Sequence, residues 1–129
     1  MKAIVILTVP LGLVLALVAS GIGEQEKGNR EFMRAKLKHS QEIIEGLALE
    51  DFDQIAKNAQ QLSSLSQAMG WQVFSTEEYV VQSSEFRRSV EALRNRAKEK
   101  NLDGAALAYL DVTMKCINCH KYVRKIRMV

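Results

Sequence analysis

The sequence predicts an all-α protein: an antiparallel, up-down-up-down four-helix bundle preceded by a signal peptide. Apolar residues recur at intervals of three and four along four successive stretches, which is the period of an amphipathic helix. No stretch alternates between apolar and polar residues as a half-buried strand does. The connections are about two to six residues long, and such short links make neighbouring helices antiparallel. The only proline, Pro10, lies near the N-terminus, so the rest of the chain can form long helices.

Residues 1–20 have the pattern of a secretory signal peptide. Lys2 supplies a positive start, and an almost unbroken apolar run from Ala3 to Ala19 ends at small residues. An uncleaved anchor is the alternative, because a membrane-spanning helix needs about 20 apolar residues. Both interpretations place the folded domain, residues 25–129, in the periplasm or on the outer face of the cytoplasmic membrane. Contact with the membrane is expected only if the segment is uncleaved.

The first two helices are predicted over about residues 25–46 and 51–69. Gly46 is expected to end the first helix and Gly70 to follow the second, since glycine is common at helix ends. Each stretch has one apolar stripe expected to face inward. In the first helix the stripe is Met33, Leu37, Ile44 and Leu47, widened by Phe32 and Ile43; in the second it is Phe52, Ile55, Ala59, Leu62, Leu65 and Met69.

The third helix is predicted to open at Ser75 or Thr76, where Ser75 and Glu78 form a capping-box pattern, and to end near Lys100. The fourth is predicted to begin after Asn101, with Asp103 as its cap, and to continue to Arg127. The residues expected to be buried are Tyr79, Phe86, Val90, Leu93 and Ala97 in the third helix, and Ala106, Leu107, Leu110, Thr113, Met114 and Ile117 in the fourth.

The charge distribution argues against a nucleic-acid-binding protein. The formal net charge is only +3, and no dense stripe of basic residues interleaved with aromatic residues is found. Removal of Lys2 with the signal peptide would leave 17 of the 18 basic side chains against 15 acidic ones. Basic residues nevertheless crowd the C-terminal end, where they could steer an acidic partner or complement the helix dipole. They are Lys115, Lys121, Arg124, Lys125 and Arg127.

The only two cysteines occur as Cys116-Ile117-Asn118-Cys119 and are followed directly by His120. This C-x-x-C-H spacing is that of a c-type haem attachment site. On a helix, residues i and i+3 lie about 5–6 Å apart on nearly the same side, so two thiols can reach the two vinyl groups of one haem edge. The adjacent imidazole can then approach the iron. The motif predicts one covalent haem c on Cys116 and Cys119, with His120 as an axial iron ligand.

Other uses of these residues fit less well. A zinc site normally takes four ligands, and the only other histidine, His39, lies far away in the first helix, where it is expected to be a surface or boundary residue. A thioredoxin-like cysteine pair needs a βαβ context. A structural disulfide in a haem-free helical adaptor suits an exported protein but gives His120 no role. No nucleophile–base pair or acid–base carboxylate pair is evident, so no catalytic residue is assigned and an enzyme is not predicted.

The late position of this motif, after three amphipathic helices and one turn before Arg124, resembles the class II c-type cytochromes, the cytochrome c′ and cytochrome c556 group. Class I cytochromes carry the motif near the N-terminus instead. The resemblance covers about residues 25–127. It rests on Cys116, Cys119, His120 and Arg124, together with the Arg30–Gly46 helix and the Asp51–Asp53 start of the next helix. It implies a left-twisted bundle with the haem between helices near one end, and it places Arg124 close to the proximal side of the haem.

The resemblance also implies two functions that differ in the sixth iron position. In low-spin members a methionine of the first helix binds iron opposite the histidine, and Met33 is the candidate here; a thioether–imidazole pair suits electron transfer. In the cytochrome c′ branch this position is apolar, the iron is five-coordinate and small gases such as nitric oxide bind. Leu37 could fill that role, and Met33 could equally be a flexible core filler.

One-electron transfer to an unidentified redox protein is therefore the favoured function, and gas binding at a five-coordinate haem is the alternative. Family members often form homodimers through their first two helices. No surface stripe in the sequence demands such pairing.

Overall fold

The structure is a computed structural model that describes the backbone of residues 11–68 and 74–128, and side chains from residue 27 onward. Residues 1–10, Met69 and Gly70 lie outside the described residues, as do the side chains of the predicted signal peptide, which stays a prediction. Within the part of the chain that is described, no helix combines the length and the apolar character needed to cross a membrane.

Four helices and no strands make up the described residues, which confirms the all-α four-helix bundle. They are α1 (Leu11–Leu49), α2 (Phe52–Gln67), α3 (Glu77–Lys98) and α4 (Leu102–Arg127). Each helix packs closely on the next one along the chain, whereas α1 and α4 touch only sparsely. The bundle is therefore closed along three seams and open along the fourth, between α1 and α4.

Side-chain caps fix where α2, α3 and α4 begin. The carboxylate of Asp51 accepts a hydrogen bond from the Gln54 amide at 2.9 Å, and the Thr76 hydroxyl accepts one from the Tyr79 amide at 3.3 Å. Thr76 rather than Ser75 is thus the cap of α3, and a Ser75–Glu78 capping box is not formed.

The predicted cap of α4 is wrong. Asn101 caps this helix, because its side-chain oxygen accepts a hydrogen bond from the Gly104 amide at 2.8 Å. Asp103 lies instead in the first turn of α4, where its negative charge complements the positive end of the helix dipole.

Gly46 does not end the first helix, contrary to the sequence prediction. The helix continues to Leu49, and Glu50 then adopts the left-handed conformation with φ 55°. Gly46 is buried against α2, and a Cβ atom at this position would lie 2.9 Å from Ile55 Cγ1 and 3.2 Å from the Asp51 carbonyl oxygen. The missing side chain therefore allows the close approach of α1 and α2.

We expect Gly46→Val to lower the free energy of unfolding by about 1–3 kcal/mol, because the added methyl groups must displace Ile55 or the backbone of Asp51. Gly28→Val is the matched control in the same helix, since a Cβ at Gly28 meets nothing within 4 Å. Its expected effect is within about 0.5 kcal/mol. Urea unfolding followed by circular dichroism measures both, and equal effects of the two substitutions would contradict the close-approach role of Gly46.

The core forms where all four helices meet, and α3 contributes to it as predicted. Tyr79, Phe86, Val90, Leu93 and Ala97 are all buried. In α2, Ile55, Ala59 and Leu62 are buried as expected, while Phe52 and Leu65 are half-buried. The inward face of these two helices was therefore read correctly from spacing alone.

The inward face of α1 differs from the prediction. Leu37 and Ile44 are exposed, whereas Ile43, which was placed only at the margin of the stripe, is completely buried. Lys36 is buried as well. The face that α1 turns to the core is rotated by about one residue from the predicted one, because α1 packs on α2 and leaves its α4-facing side open.

The predicted face of α4 is wrong. Leu107, Leu110, Met114, Ile117 and Ala106 are exposed. Thr113 is half-buried. The buried residues of this helix are Ala105, Val112 and Cys119, which follow one another at intervals of seven on the opposite side. Helical spacing identifies an apolar face, but α4 has two such faces and spacing alone does not say which one meets the core.

His39 is a boundary residue, as predicted. It is half-buried, and its Nδ1 atom lies 2.8 Å from Oδ1 of Asn58 in α2. The Asn58 amide nitrogen donates to the Gln54 carbonyl at 2.9 Å, so its oxygen can only accept and the proton lies on His39 Nδ1. This hydrogen bond ties α1 to α2.

Candidate cofactor site

A groove of about 510 Å³ lies along the open seam between α1 and α4. Its floor is formed by Leu62 of α2 and Phe86 of α3, and Val112 of α4 lines it as well. These residues are buried and apolar. The groove exists because α1 and α4, unlike the other neighbouring helices, are held apart over most of their length.

Cys116, Cys119 and His120 all line this groove. The last helix brings them together within little more than one turn, as the sequence predicted. Both cysteines are free thiols; Cys116 is exposed and Cys119 is buried. Desolvation of the sulfur atoms raises the pKa of both thiols, and the nearby Lys36 ammonium opposes that rise. Both cysteines are therefore protonated at neutral pH.

The imidazole of His120 is poised as a neutral ligand. Burial is the largest cause that lowers the pKa of His120, and the positive charges of Arg124 and Lys36 lower it further. A neutral imidazole offers the nitrogen lone pair that binds a metal. Among the described residues, no three His, Cys, Asp or Glu side chains are close enough to hold a metal ion by themselves. A haem iron needs only one or two protein ligands, because the porphyrin supplies the rest.

Met33 and Leu37, the two candidates for the sixth iron position, both line the groove from α1. Met33 is half-buried and lines the adjoining cavity too, together with His120. Leu37 is exposed and lies at the rim. The structure thus brings Met33 and His120 to the same space from opposite helices.

Lys36 is a site residue that the sequence analysis missed. It is only 8% exposed, and its Nζ atom lies 4.3 Å from the centre of the Phe86 ring. Desolvation lowers the pKa of Lys36 from its usual value of 10.5 to about 7. The thiolate forms of Cys116 and Cys119 would work against this change, and the positive charge of Arg87 adds to it. Position 36 is three residues after Met33, within the inward stripe, but the charge of a lysine argues against burial when only the sequence is known.

A second cavity of about 450 Å³ adjoins the groove toward the C-terminal end of α4. Arg124 lines it beside Cys119 and His120, so the residue singled out by the family resemblance does lie next to the motif histidine. Three further arginines share this cavity: Arg30 and Arg34 of α1, and Arg127 of α4. Arg30 and Arg34 could have been noticed because they flank Met33 at positions −3 and +1, but nothing in the sequence places α1 next to the end of α4.

A pair of hydrogen bonds joins α1 to α4 near the other end of the groove. The Tyr109 hydroxyl donates to the Ser40 carbonyl at 2.9 Å and therefore accepts from Ser40 Oγ, also at 2.9 Å. Both residues line the groove. This clasp, formed by Ser40 and Tyr109, holds the two helices together at that end of the groove.

These residues fit a covalently bound haem. The walls are largely apolar, two free thiols and a neutral imidazole lie on one helix, and a thioether lines the space from the helix opposite. The four arginines of the adjoining cavity suit the two carboxylates that a haem carries. Only the buried ammonium of Lys36 departs from this pattern.

The fold and the site together define an all-α four-helix-bundle protein with a thiol- and imidazole-lined groove between its first and last helices. The chain matches no family model, and no curated protein or solved structure is detectably similar to it.

Proposed function

We propose that this protein is an exported c-type cytochrome that transfers single electrons and carries one haem on Cys116 and Cys119. One observation supports this most: Cys116, Cys119 and His120 line the same apolar groove that Met33 enters from α1. A C-x-x-C-H motif on a surface with no adjacent cavity would offer nowhere to place a porphyrin. Here the space and the motif coincide.

The haem would supply an iron that gains and loses one electron. Each thiol would add its sulfur and its hydrogen across one vinyl double bond, which agrees with both thiols being protonated. His120 would present its unprotonated nitrogen to the metal. Leu62, Phe86 and Val112 would keep water from the ring and hold the surroundings at low dielectric, one of the factors that set a reduction potential.

The basic end of α4 supports a docking role in the same function. Lys121, Arg124, Lys125 and Arg127 are exposed and follow the attachment motif directly. An acidic patch on a redox partner would be steered toward this end, and association would weaken as salt is raised. An electron would then enter or leave at this end of the groove.

The test is to export the protein in a cell able to attach haem c, and to measure the mass and absorbance of the purified chain. We expect the mass of one haem on the polypeptide, retained after denaturation, and a spectrum that changes on reduction. A mature polypeptide without added porphyrin would refute the proposal.

Met33 is proposed as the sixth ligand, and its replacement distinguishes the two functions. We expect Met33→Ala to convert a low-spin ferrous spectrum completely into a high-spin one that binds carbon monoxide, because alanine carries no donor atom. Met128→Ala is the control, since Met128 is exposed at the end of α4 and lies away from the groove. Optical spectra in both redox states make the comparison.

Leu37 also lines the groove, and this supports gas binding at a five-coordinate haem as the second candidate function. In that case the unmodified protein would already be high-spin and would bind nitric oxide or carbon monoxide. An identical spectrum for Met33→Ala and the unmodified chain would rule out the thioether as a ligand.

A further inference from the structure

The outer face of α4 carries a regular apolar stripe that remains exposed. It consists of Leu107, Leu110, Met114 and Ile117, whose exposed fractions lie between 41 and 69%. Their spacing of three, four and three residues is the heptad pattern with which helices pair in coiled coils. We call these four residues the outer stripe.

The outer stripe lies back to back with the residues that α4 contributes to its own bundle. Ala105, Val112 and Cys119 are buried at intervals of seven, and each lies on the opposite side of the helix from the outer stripe. A helix that is apolar on two opposite sides normally has both sides buried against other structure. Within the described chain, α4 is covered on one side only.

Two opposite charges extend the heptad spacing of the outer stripe at its ends. Asp103 precedes Leu107 by four residues, and Lys121 follows Ile117 by four. Both charged residues are exposed, and neither forms an ion pair within the described chain. The outer stripe is thus bounded by a negative charge at one end and a positive charge at the other.

The whole pattern is symmetric about Val112. Leu110 and Met114 lie two residues to either side of it, Leu107 and Ile117 five, and Asp103 and Lys121 nine. A helix with this arrangement is complementary to an antiparallel copy of itself, because reversing the helix exchanges the members of each pair. Such self-complementarity is what a two-fold symmetric interface requires.

We propose that the outer stripe is the interface of a homodimer in which the α4 helices of two copies pack antiparallel and cross at the level of Val112. Leu107 would then meet the partner's Ile117, Leu110 the partner's Met114, and Asp103 the partner's Lys121, each contact occurring twice. A parallel pairing would instead bring Asp103 against Asp103 and Lys121 against Lys121, which is unfavourable.

One further acidic residue is already directed away from this interface. Asp111 lies beside the outer stripe near the two-fold axis, but its carboxylate accepts a hydrogen bond from Ser89 of α3 at 2.5 Å. Lys115 likewise forms an ion pair with Glu85 of α3 at 3.1 Å.

The groove between α1 and α4 lies to one side of the outer stripe, with Ile117 at the margin of both. The pairing therefore does not depend on haem and does not rest on the proposed function.

The first experiment is sedimentation equilibrium of the mature exported protein at concentrations from about 1 µM to about 1 mM. This is the range of Kd values expected for a dimer with a small interface. We expect a monomer–dimer equilibrium. Leu110→Glu should raise the dimer Kd by about a hundredfold, because it places a carboxylate against the partner's Met114 in both symmetric contacts. Leu49→Glu is the matched control: Leu49 is 68% exposed, compared with 60% for Leu110, but lies at the end of α1.

Circular dichroism should show that both variants keep their helix content, because the replaced side chains are exposed. A monomer throughout this concentration range would overturn the proposal and leave the outer stripe to a different partner, such as a lipid surface. Equal Kd values for Leu110→Glu and the unmodified protein would overturn it as well.

A charge exchange tests the antiparallel register. We expect Asp103→Lys and Lys121→Asp each to raise the Kd by about tenfold at low salt, since each turns two attractive contacts into repulsive ones. The double variant Asp103→Lys/Lys121→Asp should return the Kd to within about threefold of the starting value, because it restores both contacts with the signs exchanged. A Kd of the double variant that stays raised would exclude this register. A recovered Kd cannot come from helix stability, because the losses of helix stability caused by the two single substitutions would add rather than cancel.

Discussion

Replacing both Cys116 and Cys119 with alanine is expected to abolish covalent haem completely, the largest effect expected of any substitution in this chain. The two thiols are the only ones in the sequence, and both line the groove between α1 and α4. With neither thioether bond, any haem that enters the groove is held only by non-covalent and axial contacts from residues such as His120 and Met33. Denaturation would then separate it from the polypeptide.

Asn118→Ala is the matched control, because Asn118 lies between the cysteines in sequence but is exposed and does not line the groove. We expect this variant to carry one haem, as we expect of the unmodified chain. Mass spectrometry of the denatured proteins measures attachment directly. Covalent haem on the double-alanine variant, or its loss from Asn118→Ala alone, would contradict the assignment.

Lys36→Met is expected to have the second largest effect, on the stability of the haem-free chain. Burial lowers the pKa of Lys36 from 10.5 to about 7, so between these values the unfolded chain holds a proton that the folded chain has released. Stability therefore rises with pH across this window. Below about pH 7 the folded chain carries a buried ammonium, and the full free-energy cost of desolvating this charge lowers the stability of the fold.

We expect Lys36→Met to raise the free energy of unfolding below pH 7 by about 5 kcal/mol, because a thioether of similar length fills the same space without a charge. It should also flatten the rise in stability between about pH 7 and 10.5. Lys38→Met is the control, since Lys38 is exposed on the same helix. Urea unfolding of polypeptide made without haem attachment gives both profiles. Parallel pH profiles for the unmodified chain and Lys36→Met would show that Lys36 does not titrate in this range.

The prediction from sequence succeeded where one residue pattern had one structural meaning. All five predicted residues of α3 are buried, because this helix has a single continuous apolar face. In α4 the same reasoning chose the wrong face, since Leu107, Leu110, Met114 and Ile117 form a second stripe of equal regularity. Which stripe enters the core depends on where α3 lies, and this is a tertiary property.

In the candidate site, too, some residues could be predicted from the sequence and others could not. Cys116, Cys119 and His120 are adjacent in sequence, so their spacing predicts their use without knowledge of the fold. Lys36 was missed because hydropathy excludes a lysine from a buried stripe. Arg30 and Arg34 acquire meaning only when α1 is placed beside the C-terminal end of α4, a contact between residues about 90 positions apart in the sequence. The role of Gly46 was predicted wrongly because it depends on the packing of this residue against Ile55 and Asp51, which the sequence does not reveal.

The gap between α1 and α4 bears on the order in which this protein can be assembled. Contacts along the other three seams, with the Ser40–Tyr109 clasp, already hold the four helices in place. A flat ring could then slide in edge-on from solvent, and the exposed Cys116 thiol would remain within reach of a maturation enzyme. If the chain carries the proposed haem, entry through this gap would spare the chain from wrapping around the ring while it folds.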